Sequence, residues 1–180
     1  PDAVSLSSYL INHPNEAMDE DQIRCIMFQL MFIVARLHSQ FGVQHNDLHE
    51  GNILVKKMSV PKTLRYEIQT GPGTVDVFQV PLRVGDFEVF VFDFGASAVK
   101  TGPGWSQDTT TPWKMVSYVA LQHNNAPEVL FGPKLAESKS WAGDLFMLGH
   151  IMMTLVAHNQ IAGFRYKEFF GYHVFNIDQD

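Results

Sequence analysis

The sequence lacks the features that would place it outside a reducing compartment, in a membrane or on nucleic acid. Cys25 is its one cysteine, so no internal disulfide can form, which indicates an intracellular (cytoplasmic or nuclear) location. No apolar run approaches the roughly 20 residues that span a bilayer. The formal net charge of −6 argues against a nucleic-acid-binding face. We therefore expect neither a membrane nor a nucleic acid among its partners.

Apolar residues, in contrast, are plentiful enough to form a core. The chain has 180 residues, of which 46% are hydrophobic, and this predicts a globular domain rather than a disordered segment. Residues 19–39 carry one apolar stripe with helical spacing, so we predict an amphipathic helix there. Asp19 with Gln22 predicts a capping box at its start, and Gly42 predicts a stop just after its last turn.

The rest of the pattern indicates further helices joined by short strands. Residues 4–11 predict a short helix, and residues 141–156 are apolar nearly all round, which predicts a helix buried on all sides. The predicted fold class is therefore mainly α with small β hairpins. The predicted strands are 53–55, 88–92 and a hairpin over 65–80 around Gly71-Pro72-Gly73.

Four short motifs contain the residues best suited to catalysis or metal binding. In chain order they are His45-Asn46-Asp47-Leu48-His49-Glu50-Gly51-Asn52, Asp93-Phe94-Gly95, Ala126-Pro127-Glu128, and Asp144 in the apolar helix. Transfer of a phosphoryl group needs a divalent metal, and Mg²⁺ prefers hard oxygen ligands. Asn52 and Asp93 supply such oxygens, and Asp47 supplies a carboxylate that can position a hydroxyl and accept its proton. Paired strands after Asn52 and before Asp93 would bring the two together.

Taken together, the motifs resemble those of the eukaryotic-type protein kinase superfamily. The first is similar to the catalytic loop H-R-D-L-x-x-x-N, the second to the metal loop D-F-G, and the third to A-P-E, which ends the activation segment. The resemblance extends over residues 4–156 in the family's order. It implies a kinase-like C-terminal lobe over 1–180, with the N-terminal lobe absent. Its parts would be the catalytic loop 45–52, an insert 56–87, the metal loop 93–95, the activation segment 93–128 and a buried central helix 141–156.

The resemblance also implies a role for each motif residue. Asp47 would be the catalytic base, Asn52 and Asp93 would bind Mg²⁺, and Leu54 would lie under the adenine of ATP. The implied cofactors are ATP and Mg²⁺, and the implied acceptor is a Ser or Thr of a protein substrate. Structural support would come from His45, Phe94, Gly95, Glu128 and Asp144.

Two positions of the first motif depart from the usual kinase pattern. We assign His49, like Asp47, to the catalytic residues. It stands where Ser/Thr kinases usually have Lys, and a neutral imidazole interacts more weakly with the γ-phosphate than Lys does. This His resembles haspin-type kinases, as does the insert 56–87, and it also occurs in small-molecule kinases. Asn46 replaces the Arg that pairs with a phosphorylated activation segment, so we expect less dependence on such phosphorylation.

The parts that grip ATP are missing. There is no G-x-G-x-x-G loop, no strand Lys and no helix Glu to pair with that Lys. Gly71-Pro72-Gly73 and Gly102-Pro103-Gly104 do not substitute, because proline removes backbone N–H donors from a phosphate cradle. We expect this chain alone to be inactive and an N-terminal lobe to come from upstream or from another chain.

Two other functions are compatible with these residues. The first is a small-molecule kinase of the aminoglycoside or choline type, which His49 favours and the setting of Glu128 opposes. The second is a truncated pseudokinase acting as a binding module, which the missing ATP-gripping parts favour. The intact Asp47, Asn52 and Asp93 oppose the second alternative, so a Ser/Thr protein kinase is the preferred prediction.

Overall fold

The computed structural model describes residues 3–101, 104–106 and 141–160. Three α-helices, eight strands and one 3₁₀ turn occur within these ranges. The helices are α1 (Leu6–Asn12), α2 (Glu20–Phe41) and α3 (Trp141–Gln160), and the 3₁₀ turn is Glu50–Asn52. The strands are β1 (Val4–Ser5), β2 (Val43–Gln44), β3 (Ile53–Lys57), β4 (Lys62–Gly71), β5 (Thr74–Leu82), β6 (Phe87–Val91), β7 (Ala98–Thr101) and β8 (Gly104–Ser106).

Helix α2 has the two ends that its sequence predicts. The Oδ1 atom of Asp19 accepts a hydrogen bond from Gln22 N at 2.7 Å, and Gln22 Oε1 accepts one from Asp19 N at 2.9 Å. Gly42 ends the helix in the left-handed region, with φ of 61°, and its N–H donates to the carbonyl of Leu37. A residue with a side chain is strained at that φ, so glycine is the residue suited to this stop. The capping box and the stop are confirmed.

The strands form three small antiparallel sheets with the orders β1-β3-β6, β2-β7-β8 and β4-β5. In the first sheet, β3 pairs with β6 from Ile53 opposite Val91 to Lys57 opposite Phe87. This sheet, α1, α2 and α3 contribute to one buried apolar cluster. Fully buried members of the cluster include Leu6, Ile26, Leu30, Ile53 and Leu155.

The prediction of a mainly α fold with small hairpins is wrong. Strands β4 and β5 are ten and nine residues long, and β7 and β8 were not among the predicted strands. Most residues of β5 are exposed, so the inward and outward alternation that signals a half-buried strand is weak there. The described elements do not show the expected kinase-like C-terminal lobe either.

The prediction that the helix over residues 141–156 is buried on all sides is also wrong. Helix α3 buries Met147, Leu148, Ile151 and Leu155, but Leu145 is 59% exposed. Met152 and Met153 are likewise exposed. An all-apolar sequence does not reveal which face of a helix finds a partner, because the contrast between faces is lost. Among the described helices, none has both the length and the apolarity to cross a membrane.

The predicted first helix is partly a strand. Val4 and Ser5 form β1 and pair with Val55 and Leu54 of β3, so the helix begins only at Leu6. Ser5 caps it, since its side-chain oxygen accepts a hydrogen bond from Ser8 N at 3.1 Å. The chain thus changes from strand to helix at a residue that suits a helix N-cap.

The long hairpin of β4 and β5 lies within the predicted insert 56–87 and packs on α2 through aromatic rings. The ring centroids of Phe32 and Tyr66 are 4.3 Å apart, and Phe28 contacts both Tyr66 and Phe78 edge-on or tilted. Burial raises the pKa of Tyr66 to about 12. The hairpin therefore covers part of the side of α2 that would otherwise face water.

The side-chain amide of Gln29 on α2 forms hydrogen bonds with backbone groups at the outer edge of β6. Its Nε2 donates to the carbonyl of Phe87 at 2.7 Å, and its Oε1 accepts from the N–H of Val89 at 3.0 Å. The side-chain amide thus takes the place of a neighbouring strand, and Gln29 is only 1% exposed. Since β6 leads directly towards Asp93, this contact fixes the strand that delivers the second motif.

Candidate active site

The first motif is held in place by a buried carboxylate on α3. Asp144 is fully buried, and its Oδ2 and Oδ1 accept hydrogen bonds from the backbone N–H groups of His45 and Asn46, each at 2.8 Å. The Nε2 atom of His38, in the last turn of α2, lies 2.7 Å from Asp144 Oδ2. Hydrogen bonds to a carboxylate are among the strongest in proteins. Asp144 therefore ties the start of the loop to both long helices. Within the loop, Asn46 adopts a left-handed φ of 66°.

His45 links this loop to the second motif. Its Nε2 donates to the carbonyl of Phe92 at 3.1 Å, and its Nδ1 accepts from Asp47 N at 3.3 Å. Burial lowers the pKa of His45, which favours the neutral ring that can donate from one nitrogen and accept at the other. The rings of His45 and Phe94 lie 4.9 Å apart with a tilt of 52°. The two motifs are thus joined through one imidazole.

Asp47 and Asn52 are in direct contact across the loop. The Nδ2 atom of Asn52 donates to the backbone carbonyl of Asp47 at 2.9 Å and to its Oδ2 at 3.2 Å. Asn52 is 6% exposed, while Asp47 is half-buried. Because the amide nitrogen of Asn52 is engaged, its Oδ1 is the atom left to bind a cation.

The second motif begins beside Asn52. The Phe92 N–H donates to the carbonyl of Asn52 at 3.1 Å, which extends the pairing of β3 with β6 by one step. The predicted pairing of these strands is confirmed. Asp93 is exposed, has a left-handed φ of 62°, and accepts at Oδ1 a hydrogen bond from Gly95 N at 3.2 Å.

Gly95 leaves little room for a side chain. A Cβ atom at that position would lie 3.1 Å from Asp93 Oδ1. The segment is also tied back to the first motif, because Asn46 Nδ2 donates to the carbonyl of Ala96 at 2.9 Å. The Oγ of Ser97 lies 3.3 Å from the carbonyl of His45, to which it donates. The side chain of Asp93 is therefore held by a short turn that is anchored at both ends.

Two of the residues singled out from the sequence lie away from these contacts or outside the described ranges. Leu54 lies on β3 opposite Phe90 and is half-buried. Glu128, together with the part of the predicted activation segment beyond residue 106, falls outside the described residues. Among the described residues, no three or more His, Cys, Asp or Glu side chains come together as a metal-binding group.

Three contacts of the site could not be found by motif. His38 Nε2 lies within hydrogen-bond distance of Asp144 Oδ2, and Thr154 Oγ1 donates to Glu50 Oε1 at 2.6 Å. The third contact is the hydrogen bond that Gly51 N donates to His49 Nδ1. The first two pairs are about a hundred residues apart in sequence. The only local signal is that His38 falls in the last helical turn, where a basic residue is common.

Comparison with known proteins gives a partial match to a described kinase. No family model matches the chain. A Dictyostelium discoideum protein described as a probable serine/threonine-protein kinase is 34% identical over 80 residues, which is 44% of this chain. The match supports a kinase-like relationship. It spans only 6% of that relative's length, and it supports neither a haspin-type nor a C-terminal-lobe assignment.

Proposed function

We propose that the chain carries the catalytic loop of a Ser/Thr protein kinase, which transfers the γ-phosphate of ATP to a protein hydroxyl. One observation carries the proposal. Asn52 bonds Asp47 through its side chain and Phe92 through its main-chain carbonyl. A single residue thus brings the candidate base and the residue that precedes Asp93 to one place. The partial match to a described kinase supports the same chemistry.

In this proposal Asp47 positions the acceptor hydroxyl and takes its proton. Its Oδ2 is held by Asn52 at 3.2 Å, and the half-buried side chain remains accessible. A carboxylate fixed in this way aligns a hydroxyl for in-line attack on the γ-phosphorus. The neighbouring His45 places no positive charge beside this carboxylate, because burial favours its neutral form.

The donor set fits Mg²⁺ bound together with ATP. Mg²⁺ takes one or two protein oxygens and fills its octahedron with phosphate oxygens and water. The Oδ1 of Asn52 and the exposed carboxylate of Asp93 would supply those oxygens. When bound, the metal would neutralise charge on the phosphate oxygens during transfer.

The exposed apolar residues beside the site support a further part that grips ATP. Phe90 lies opposite Leu54 in the paired strands, and Phe90, Phe92 and Phe94 are 42%, 37% and 45% exposed. Apolar side chains grouped in this way mark a surface that another molecule covers. We propose that adenine lies against Leu54 and that the remaining ATP-binding residues come from upstream or from another chain.

Asn46 supports activity without a phosphorylated activation segment. Its side chain donates to the carbonyl of Ala96, so it ties the loop to the segment after Asp93 by a neutral hydrogen bond. An arginine would instead present a charge that needs a phosphate partner. We propose that this hydrogen bond replaces the phosphate-dependent pairing.

The choice of acceptor tests the proposal against its alternatives. The full-length protein would be incubated with γ-labelled ATP and Mg²⁺ together with peptide libraries that contain one central Ser, Thr or Tyr. Parallel reactions would contain an aminoglycoside or choline. We expect label on the Ser and Thr libraries and none on Tyr peptides or small alcohols.

Label on a small alcohol alone would replace the proposal with a small-molecule kinase. No transfer to any acceptor by a protein that contains a glycine-rich loop and a strand lysine upstream would contradict kinase activity itself.

A further inference from the structure

The imidazole of His49 is folded back over the loop. Its Nδ1 accepts a hydrogen bond from the N–H of Gly51 at 3.0 Å. A Cβ atom at Gly51 would lie 2.6 Å from Cε1 and 2.8 Å from Nδ1 of that ring, distances at which the ring would have to move. Gly51 is therefore required by the position of the His49 ring, and the two residues act as a unit.

This hydrogen bond determines where the imidazole carries its proton. A nitrogen that accepts a hydrogen bond holds no proton, so the neutral ring carries its hydrogen on Nε2. Nε2 lies 3.8 Å from Asp47 Oδ2, and the two side chains are 19% and 29% exposed. A donor and an acceptor at this separation are too far apart for a direct hydrogen bond, but one oxygen atom can bridge them.

We propose that His49 Nε2 and Asp47 Oδ2 form a two-point clamp for the acceptor hydroxyl, and this proposal rests on the proposed kinase function. An oxygen about 2.8 Å from each atom fits the 3.8 Å gap with ordinary hydrogen-bond lengths. The hydroxyl donates its hydrogen to Asp47 and accepts the Nε2 hydrogen of His49. His49 is therefore assigned to the acceptor rather than to the γ-phosphate.

The clamp accounts for every position around the attacking oxygen. That oxygen carries one carbon, one hydrogen and two lone pairs. Its hydrogen faces Asp47, one lone pair accepts from His49, and the other lone pair points to the γ-phosphorus. In the transfer the O–P bond forms, and the bond from phosphorus to the bridging oxygen of ADP breaks. ADP keeps that electron pair, the hydroxyl proton passes to the Asp47 carboxylate, and His49 keeps its proton.

Three variants of the full-length protein test the clamp, with γ-labelled ATP and the Ser peptide library as probes. His49→Leu removes the donor, Gly51→Ala displaces the ring, and the double variant does both. We expect each single change to lower kcat/KM for the peptide by about 10-fold to 100-fold, the loss of one hydrogen bond near a charged group. The KM for ATP should stay unchanged, and the double variant should lose no more than either single one.

Two further variants separate this role from a structural one. His49→Gln restores an amide N–H near the position of Nε2 and should recover much of the peptide kcat/KM. Gly149→Ala adds a methyl group where no atom lies within 4 Å and should leave the kinetics unchanged. If His49→Leu does not fold, Gly51→Ala and His49→Gln still test the clamp.

Several outcomes would overturn the clamp. They are unchanged kcat/KM for the peptide in His49→Leu and Gly51→Ala, additive losses in the double variant, or a raised KM for ATP. If those variants remain fully active while Asp47→Asn is inactive, the clamp fails and the proposed function stands. If the unaltered protein transfers no phosphate, the proposed function fails and the clamp fails with it.

Discussion

Replacing Asp47 by Asn is expected to lower phosphate transfer by roughly 10³-fold, a general base being worth about 10²-fold to 10⁴-fold. The substitution preserves the shape of the side chain and an oxygen that can accept the hydrogen bond from Asn52 Nδ2. It removes the negative charge that draws the proton from the acceptor hydroxyl. The measurement is the initial rate of label transfer from γ-labelled ATP to the Ser peptide library by the full-length protein.

The matched control is Asp76→Asn, which removes a carboxylate from the exposed hairpin and should keep the full rate. Equal thermal unfolding temperatures for the two variants would show that the fold is intact. A transfer rate for Asp47→Asn within a factor of about three of the unaltered protein would contradict the assigned role, because no general base contributes so little.

The second large effect is on stability, and it concerns Asp144. Asp144→Ala is expected to lower the free energy of unfolding by about 3–5 kcal/mol, since two backbone donors lose a charged acceptor and each such hydrogen bond contributes about 1.5–3 kcal/mol. The variant leaves the N–H groups of His45 and Asn46 without these acceptors, and it removes the carboxylate that His38 contacts. Buried donors that lose their acceptor pay the full cost of removal from water.

Urea unfolding of the unaltered protein and the variant measures this loss as a shift in midpoint at constant slope. Asp144→Asn keeps one carbonyl oxygen and should lose less free energy than Asp144→Ala. A loss below about 1 kcal/mol for Asp144→Ala would show that the loop does not depend on this carboxylate, since ordinary surface changes fall in that range. The account of the loop would then need another anchor.

Local sequence was sufficient for the ends of α2 and for the strand pairing that positions the site. The capping box, the left-handed Gly42 and the pairing of β3 with β6 depend on residues close in sequence or on short alternating runs. The outcome was different where partners decide the structure. The exposed side of α3 and the lengths of β4 and β5 depend on which faces find neighbours, and composition does not contain that information.

The same division applies to the candidate site. The spacing within one loop was enough to predict that Asp47 and Asn52 lie close together, and their contact spans five residues. The hydrogen bonds to Asp144 span 98 and 99 residues, and the resemblance to the kinase family, not the spacing, suggested a supporting role for this residue. The position of the His49 ring over Gly51 depends on χ angles, which no motif records.

The central claim is that Asp47, Asn52 and Asp93 surround one metal bound with ATP, and affinity cleavage tests it most directly. Fe²⁺ would replace Mg²⁺ on ATP bound to the full-length protein, and peroxide with ascorbate would cut the backbone near the metal. Mass spectrometry would map the cuts. We expect cleavage both within 47–52 and near Asp93, dependent on ATP and suppressed by excess Mg²⁺, with the hairpin around Asp76 left intact. Cleavage near only one of the two segments, or equal cleavage of the hairpin, would contradict the claim.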